Sequence, residues 1–319
     1  MKDPKLSNSK IKVVVTGGAG FIGSHIVEYW SRNGAEVHVI DNLRTGKSSN
    51  LEGFENVHLH NVSITDRNAV FEILEGVKYI HHLAALVSVP ESLEKPFECV
   101  QINVIGLLNI LDAAAKHKVA KVVHSSSAAV YGDNPESPKR VNMLPMPKTP
   151  YGITKLDGEY YLQVYRETFE VNTVSLRYFN VFGPRQDPAS QYAAAVPIFI
   201  KRAIEGKPIT IYGDGEQTRD FVYVKDVVTA NILAVTKPEV NGVFNVALGH
   251  PTSINELANE IIRAAGSKSI VIHASERPGD IKDSLASIYE TVDALGFNPQ
   301  FSLRDGLKET VESFVPARD

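Results

Sequence analysis

Residues 11–16 (IKVVVT) run straight into Gly17-Gly18-Ala19-Gly20-Phe21-Ile22-Gly23, and this junction constrains the fold more than any other feature. An unbroken β-branched run predicts a strand buried on both faces. Phe21–Arg32 follows with apolar Phe21, Ile22, Ile26 and Tyr29 at mixed i, i+3, i+4 spacing, which predicts a helix. Gly18, Gly20 and Gly23 satisfy G-x-G-x-x-G; Gly17, Gly20 and Gly23 satisfy G-x-x-G-x-x-G. Glycines so placed permit a tight turn and let backbone N–H groups approach a pyrophosphate at the helix N-terminus. A glycine pattern alone is weak. Here a strand precedes it, a helix follows, and Asp41 ends a second predicted strand, Glu36–Ile40, 21 residues after Gly20. A carboxylate there accepts the adenosine ribose hydroxyls and repels a 2′-phosphate, so the loop reads as a site for NAD over NADP. Arg44 is a mild counter-signal.

Further short strands are predicted at 57–61, 79–83, 121–126 and 172–177, alternating with helical stretches near Pro96–Lys116 and Pro150–Phe169. Strands alternating with helices give an α/β fold, a Rossmann-type doubly wound parallel sheet. After Asn180 the texture changes, with breakers at Gly183-Pro184-Arg185, Asp187-Pro188, Pro197, Pro208 and Gly213-Asp214-Gly215. A smaller α/β C-terminal substrate domain is expected there. Residues 243–248 look like another buried strand, so the chain is expected to return to the first domain. The expected division is a loose tail at 1–10, an NAD-binding domain at 11–180 with a return near 220–249, and a substrate domain at 181–219 and 250–319.

Composition narrows the function classes. The 33 basic and 37 acidic residues leave a net charge of −4, no surplus to meet a nucleic-acid backbone. The single cysteine, Cys99, excludes an intrachain disulfide framework and a thiolate zinc cluster, and it fits a reducing compartment. No apolar run is seen to approach the ~18 residues of a membrane span, and the first ten residues carry no signal-type apolar core. A soluble cytoplasmic protein without a membrane partner is expected. The pair His81-His82 has no metal-ligand spacing, and His82 reads as packed near the cofactor.

Tyr151-Gly152-Ile153-Thr154-Lys155 is Y-x-x-x-K at a helix start, and residues i and i+4 share one face. An ordinary Tyr, with a pKa of about 10, is a poor base at neutral pH. A neighbouring Lys⁺ and the positive charge of NAD⁺ both favour the phenolate. By itself such a pair is more often a surface contact. Ser125-Ser126-Ser127 changes the weighing, because it ends a predicted strand and open α/β sheets bind ligands at the carboxyl ends of strands. A hydroxyl there can hold the oxygen being oxidised and relay its proton. The bland alternative is a serine-rich strand end capping backbone groups.

With His82-Leu83-Ala84-Ala85, these residues resemble the extended short-chain dehydrogenase/reductase family over nearly the whole chain, and within it most closely the UDP-hexose 4-epimerases. The resemblance implies Tyr151 as base, Lys155 lowering its pKa and binding the nicotinamide ribose, and Ser127 assisting at the sugar O4. It implies cofactor contacts from Gly17, Gly20, Phe21, Ile22 and Gly23, then from Asp41, Asn42 and Gly46, and from Leu83, Ala84 and Ala85. Asn103 and Tyr178 are expected on the nicotinamide side. Asn61-Val62 stands where many relatives have Asp-Ile near the adenine, so weaker but intact recognition is expected. For the substrate, Arg219 and Arg277 match arginines on the nucleotide diphosphate, where guanidinium forks suit phosphate oxygens. Asp280 would take the ribose hydroxyls and Tyr212 would stack on uracil, with Ala194, Ala195 and Val196 offering backbone groups.

Sugar choice hangs on fewer positions. Asn180 matches an asparagine common in neutral-sugar epimerases. Ser284 matches a gatekeeper position where a small residue leaves room for an N-acetyl group. The stretch around Ser88 also resembles the N-acetyl-preferring group, although Val87 replaces an expected glycine. Sugar dehydratases and decarboxylases of the family carry acidic residues after the catalytic hydroxyl. Ala128 and Ala129 stand there in this chain and neither can carry a proton. The implied reaction is inversion at C4 through hydride abstraction, rotation of a 4-keto sugar and hydride return, on UDP-GlcNAc/UDP-GalNAc and also UDP-Glc/UDP-Gal. Alternatives are a UDP-glucuronate epimerase or decarboxylase, a net oxidoreductase, and a non-catalytic dinucleotide-binding regulator. A homodimer pairing the two long helical stretches is expected by analogy.

Overall fold

The computed structural model describes residues 11–188, 195–276 and 282–315. In chain order the first strands and helices are β1 (Lys12–Thr16), α1 (Phe21–Arg32), β2 (Glu36–Ile40), β3 (Val57–His60), α2 (Arg67–Ile73), β4 (Tyr79–His82), α3 (Val89–Glu94), α4 (Pro96–Val100), α5 (Gly106–Lys116), β5 (Lys121–Ser127) and α6 (Pro150–Phe169). Then come β6 (Thr173–Tyr178), β7 (Asn180–Phe182), α7 (Ala195–Ile204), β8 (Ile209–Tyr212), β9 (Thr218–Tyr223), α8 (Val224–Thr236) and β10 (Gly242–Val246). The chain ends with β11 (Pro251–Ser253), α9 (Ile254–Ala264), β12 (Val271–Ala274), α10 (Tyr289–Leu295) and α11 (Leu303–Phe314).

Seven strands form one sheet in the order β10-β6-β5-β4-β1-β2-β3. The pairs β3/β2, β2/β1, β1/β4 and β4/β5 are parallel. This is the doubly wound order, and its switch point falls between β1 and β4. The strand cores are continuous apolar runs because both faces are covered; Val13, Val14 and Val15 are all fully buried. Val14, Ile80 and Val122 pack with Leu107, Ile110 and Leu162 on one face. Helix α2, which pattern reading passed over, is capped by Asp66, whose carboxylate accepts from Ala69 N at 3.1 Å.

Helix α4, a π turn at Gln101–Ile105 and helix α5 run on without a break. Together Pro96–Lys116 is long and apolar enough to cross a membrane by length and composition. Reading the sequence as separate apolar runs missed that span. Its Leu107, Ile110, Leu111, Ala113 and Ala114 lie in the sheet core, which explains the apolarity without a membrane.

By compactness the described chain divides into two units. Unit 1 takes residues up to Ser126 with Thr149–Ser175 and Ala234–Gly242; unit 2 takes Ser127–Lys148, Leu176–Leu233 and the chain from Val243 onward. Residues 127–148 therefore go with unit 2. Within unit 2, β11-β9-β7 and β12-β8 form two small sheets. Ser253 caps α9 by accepting from Glu256 N at 3.1 Å, and Leu257 and Ile261 are fully buried on its inner face.

Candidate active site

The glycine loop is held by its own backbone. Gly17 N donates to Ile40 O at 2.8 Å and Gly20 N to Gly17 O at 3.1 Å. Gly17 has φ +68, and a Cβ there would lie 2.8 Å from Ala84 N on the loop after β4. A Cβ on Gly23 would lie 2.2 Å from Gly17 O. Neither position tolerates a side chain, so α1 starts hard against the end of β1. Its first N–H groups stay uncovered, since the N-cap Gly20 has no side chain to offer. Phe21 and Ile22 are half-buried in this first turn.

Asp41 is 8% exposed, and its carboxylate accepts from Ala19 N at 3.0 Å and Leu43 N at 2.9 Å. A Cβ on Gly46 would meet Asp41 Oδ2 at 2.9 Å, so Gly46 is small because the carboxylate is there. Asn42 turns back to accept from Arg44 N at 3.2 Å. Arg44 forks to Glu91 and Glu98 at 2.6 Å each, and that pairing answers the counter-signal for a 2′-phosphate. Asn61 is exposed just beyond β3, and Val62 packs on the core. The bare turn, the helix N-terminus and the inward carboxylate fit a dinucleotide with free ribose hydroxyls.

The loop after β4 is braced by Thr16, which no motif announced, and by Asn103, which was expected on the nicotinamide side. Thr16 Oγ1 accepts from Leu83 N and Ala84 N at 3.2 and 3.1 Å and meets His82 Nδ1 at 2.8 Å. Burial lowers the His82 pKa to about 3, so the ring is neutral. Asn103, in the π turn, accepts from Leu86 N at 2.7 Å and donates to Leu86 O and Thr154 Oγ1 at 3.1 and 3.0 Å. Its amide is thus spent on positioning the loop that carries Leu83, Ala84 and Ala85. The signal for these braces was a threonine ending a strand and an asparagine inside an apolar helix.

Helix α6 starts at Pro150, and Thr149 caps it by accepting from Gly152 N at 3.2 Å. The cap fixes where the turn carrying Tyr151 points. Lys155 is 4% exposed, with its Nζ donating to Ser125 O at 2.7 Å and lying 5.8 Å from the Tyr151 ring centre. Burial pushes the ammonium down to about 8, so it stays largely charged at neutral pH. Ser92 accepts from Tyr151 N at 3.3 Å, and Ser88 caps the same short helix α3. The second serine of the strand-end run, Ser126, donates to Glu159. Tyr151, Lys155 and the cofactor residues up to Asn103 belong to unit 1.

Unit 2 has a cavity of about 200 Å³ lined by Ser127, Ala128, Ala129, Tyr178, Asn180, Arg219 and Ser284 among others. It is smaller than the ~300–1,000 Å³ of a drug-sized site, a space for one ring and its substituents. Ser127 Oγ accepts from Ala129 N at 3.1 Å and still carries an O–H to donate. Asn180 donates to Asp220 O at 3.1 Å, and Asn231 donates to the Tyr178 hydroxyl at 2.7 Å. Ser284 N donates to Thr218 O at 3.2 Å, which holds the gatekeeper position beside Arg219. Lys139 and Asp283 also line the cavity; no motif announced either.

Below this wall Asp220 is fully buried and accepts from Leu248 N at 2.9 Å and Ala286 N at 3.2 Å. Burial raises its pKa to about 6 against those bonds. Tyr212, Ala195 and Val196 do not line the cavity: Tyr212 is 38% exposed at the end of β8, and Val196 is buried in α7. Ala194, Arg277 and Asp280 lie outside the described residues.

The model of the family described as "NAD dependent epimerase/dehydratase family" matches residues 13–247. The chain is 43% identical to the UDP-N-acetylglucosamine 4-epimerase of Methanobrevibacter ruminantium, solved with UDP-N-acetylmuramic acid, with a TM-score of 0.92 over 96% of this chain and 98% of that one. It is 38% identical to the UDP-glucose 4-epimerase of Thermus thermophilus, solved with NAD, with a TM-score of 0.87 over 97% and 100%. A UDP-glucose 4-epimerase of Mycolicibacterium smegmatis is 36% identical over 309 residues, 95% of this chain and 98% of its own. The cofactor is NAD, and the chain belongs to the NAD-dependent epimerase/dehydratase family, within the extended short-chain dehydrogenases/reductases.

Proposed function

We propose that this chain is a UDP-sugar 4-epimerase acting on UDP-GlcNAc and UDP-GalNAc, and also on UDP-glucose and UDP-galactose, with NAD retained through each turnover. The observation that carries the reading is the cavity wall. Ser127 offers a hydroxyl, Arg219 a cation and Ser284 a small side chain, while Ala128 and Ala129, standing where the resembling dehydratases and decarboxylases carry acidic residues, offer no proton-transfer group. NAD, when bound, supplies a hydride acceptor and donor for the sugar C4. Gly17, Gly20 and Gly23 would approach its pyrophosphate, Asp41 its adenosine ribose and Lys155 its nicotinamide ribose. Tyr151 takes the proton of the C4 hydroxyl and later returns it, and Ser127 hydrogen-bonds that oxygen. C4 is flat in the keto sugar, so return from the opposite face inverts it. Arg219 and Arg277 would neutralise the diphosphate, leaving the sugar free to turn about it.

Decarboxylation or dehydration needs proton transfer at a second carbon. Asp283 is the one carboxylate among the residues lining the cavity, and it accepts from Thr218 Oγ1 at 2.9 Å. The test is incubation without added NAD with UDP-GlcNAc, UDP-glucose and UDP-glucuronate, with products read by NMR. Inversion at C4 of the N-acetylated sugar is expected. Loss of carbon dioxide from the glucuronate, or a stoichiometric need for NAD, would overturn the proposal.

The gatekeeper has its own test. Ser284→Tyr fills part of the cavity, and a misfit of one small group is worth roughly 10- to 200-fold in kcat/KM. That loss is expected for UDP-GlcNAc, with UDP-galactose turnover spared. Equal loss on both sugars would remove Ser284 from sugar choice.

A homodimer is part of the proposal. Phe97 is 91% exposed, and Val100, Ile153, Tyr160 and Val164 are 45–55% exposed on α4 and α6. Largely apolar side chains so bared on two helices suit burial against a second copy. Light scattering should give twice the chain mass, and Phe97→Glu with Val164→Glu should give the single chain. A monomeric parent would refute the pairing.

A further inference from the structure

Outside the active site, four titratable side chains meet at the outer edge of the main sheet. Glu36 and His38 lie on β2, and His58 and His60 lie on the edge strand β3. The parallel register sets His38 beside His58, and alternation along each strand puts all four on one face. We propose that Glu36, His38 and His58 form a binding site for one divalent transition-metal ion of the zinc type, with His60 orienting His38 from behind.

The geometry is close to what such an ion needs. Glu36 Oε1 lies 3.0 Å from His38 Nε2 and 3.8 Å from His58 Nε2, and the three candidate ligand atoms fall within 4.8 Å of one another. Zinc–nitrogen and zinc–oxygen bonds of about 2.0–2.1 Å place tetrahedral ligands roughly 3.3–3.4 Å apart, between the two observed separations. Two imidazoles and one carboxylate are a borderline-soft donor set, and a fourth position remains for water.

His60 supplies the outer support that ligating histidines ordinarily have. Its Nε2 lies 2.8 Å from His38 Nδ1, and the two rings stack at 5.1 Å with a 12° tilt. Without metal, His38 Nε2–H donates to Glu36 and Nδ1 accepts from His60. With metal, Nε2 turns its lone pair to the ion and Nδ1–H donates to His60. Both rings change tautomer and no net proton is released.

Access and charge are compatible with an ion. The His58 side chain is 51% exposed and Glu36 41%, while His38 is only 13% exposed at the floor. The neighbouring cation, Lys12, has its Nζ drawn off to Glu75 O at 2.9 Å. A bound ion would clasp the edge strand β3 to β2, immediately before the strand end that carries Asp41.

The test uses full-length, tag-free protein with NAD bound, stripped with EDTA and titrated with Zn²⁺ by calorimetry, then with Co²⁺ by visible absorption. One saturable equivalent, a tetrahedral Co²⁺ spectrum and a higher melting temperature with Zn²⁺ are expected. His58→Ala, at a half-exposed side chain, should weaken binding at least about tenfold. His60→Gln, which touches no metal, should weaken it roughly 10- to 100-fold while leaving one equivalent. Absence of saturable binding, or affinity unchanged in both His58→Ala and His38→Ala, would overturn the proposal. Epimerase assays on the same samples keep this result separate from the function proposed above, since neither outcome depends on turnover.

Discussion

Replacing Tyr151 by Phe is expected to lower kcat by about 10²- to 10⁴-fold, the range removed with a general acid–base group. That is roughly 3–5 kcal/mol on the barrier. The ring, its half-buried seat and the Thr149 cap all survive the change, so the fold and the α6 start should be kept. NAD content as purified should match the parent, because the glycine cradle and Asp41 lie elsewhere in unit 1. KM should move little, since the phenol acts on a proton. Lys155 is a poorer probe. Removing it takes away the charge beside the phenol and also the Nζ–Ser125 O bond inside a buried site, so a loss there would not separate chemistry from structure. Single-turnover measurement with the Phe variant should show UDP-sugar bound and C4 unconverted. Retention of more than about a tenth of the parent rate would remove Tyr151 from the proton's path.

What was legible in the sequence tracks how local the physics is. Strands β1 and β2, helix α1 and helix α6 lie where continuous β-branched runs, glycines and a Pro at a helix start place them. Each element is set by neighbours a few residues away. The glycine loop and Asp41 were legible for the same reason, because their spacing is fixed by one βαβ unit. Short elements such as β7 and β11 were not, since three residues hold no period, and they exist by pairing with β9. Thr16 and Asp220 were missed as site builders, and Asn103 was expected beside the nicotinamide and not as a brace, because their worth lies in which distant backbone N–H groups they receive. Their residue types also occur at any strand end or helix surface. The four-residue cluster of Glu36, His38, His58 and His60 is the sharpest case. Two residues come from each of two strands, and only the register brings them together.

The other large effect concerns Gly23. An alanine Cβ there would lie 2.2 Å from Gly17 O and 2.9 Å from Gly18 Cα. Both obstacles are backbone, so no side chain can swing aside. Either α1 retreats from the end of β1 or the Gly17–Gly18 turn is displaced, and both move N–H groups away from the pyrophosphate. Forcing a methyl into a filled space costs about 1–3 kcal/mol. If that cost falls on the cofactor, NAD binds roughly 5- to 150-fold more weakly, and the purified protein should carry correspondingly less of it. Gly20→Ala is the internal comparison, because its Cβ meets nothing nearer than 3.2 Å from Gly17 O. The apo protein should therefore melt lower with Gly23→Ala than with Gly20→Ala. Dialysis against excess NAD should restore turnover to Gly23→Ala in proportion to occupancy, since Tyr151 and Lys155 are untouched. An NAD affinity within twofold of the parent would show that the close approach of α1 to the loop does not hold the cofactor.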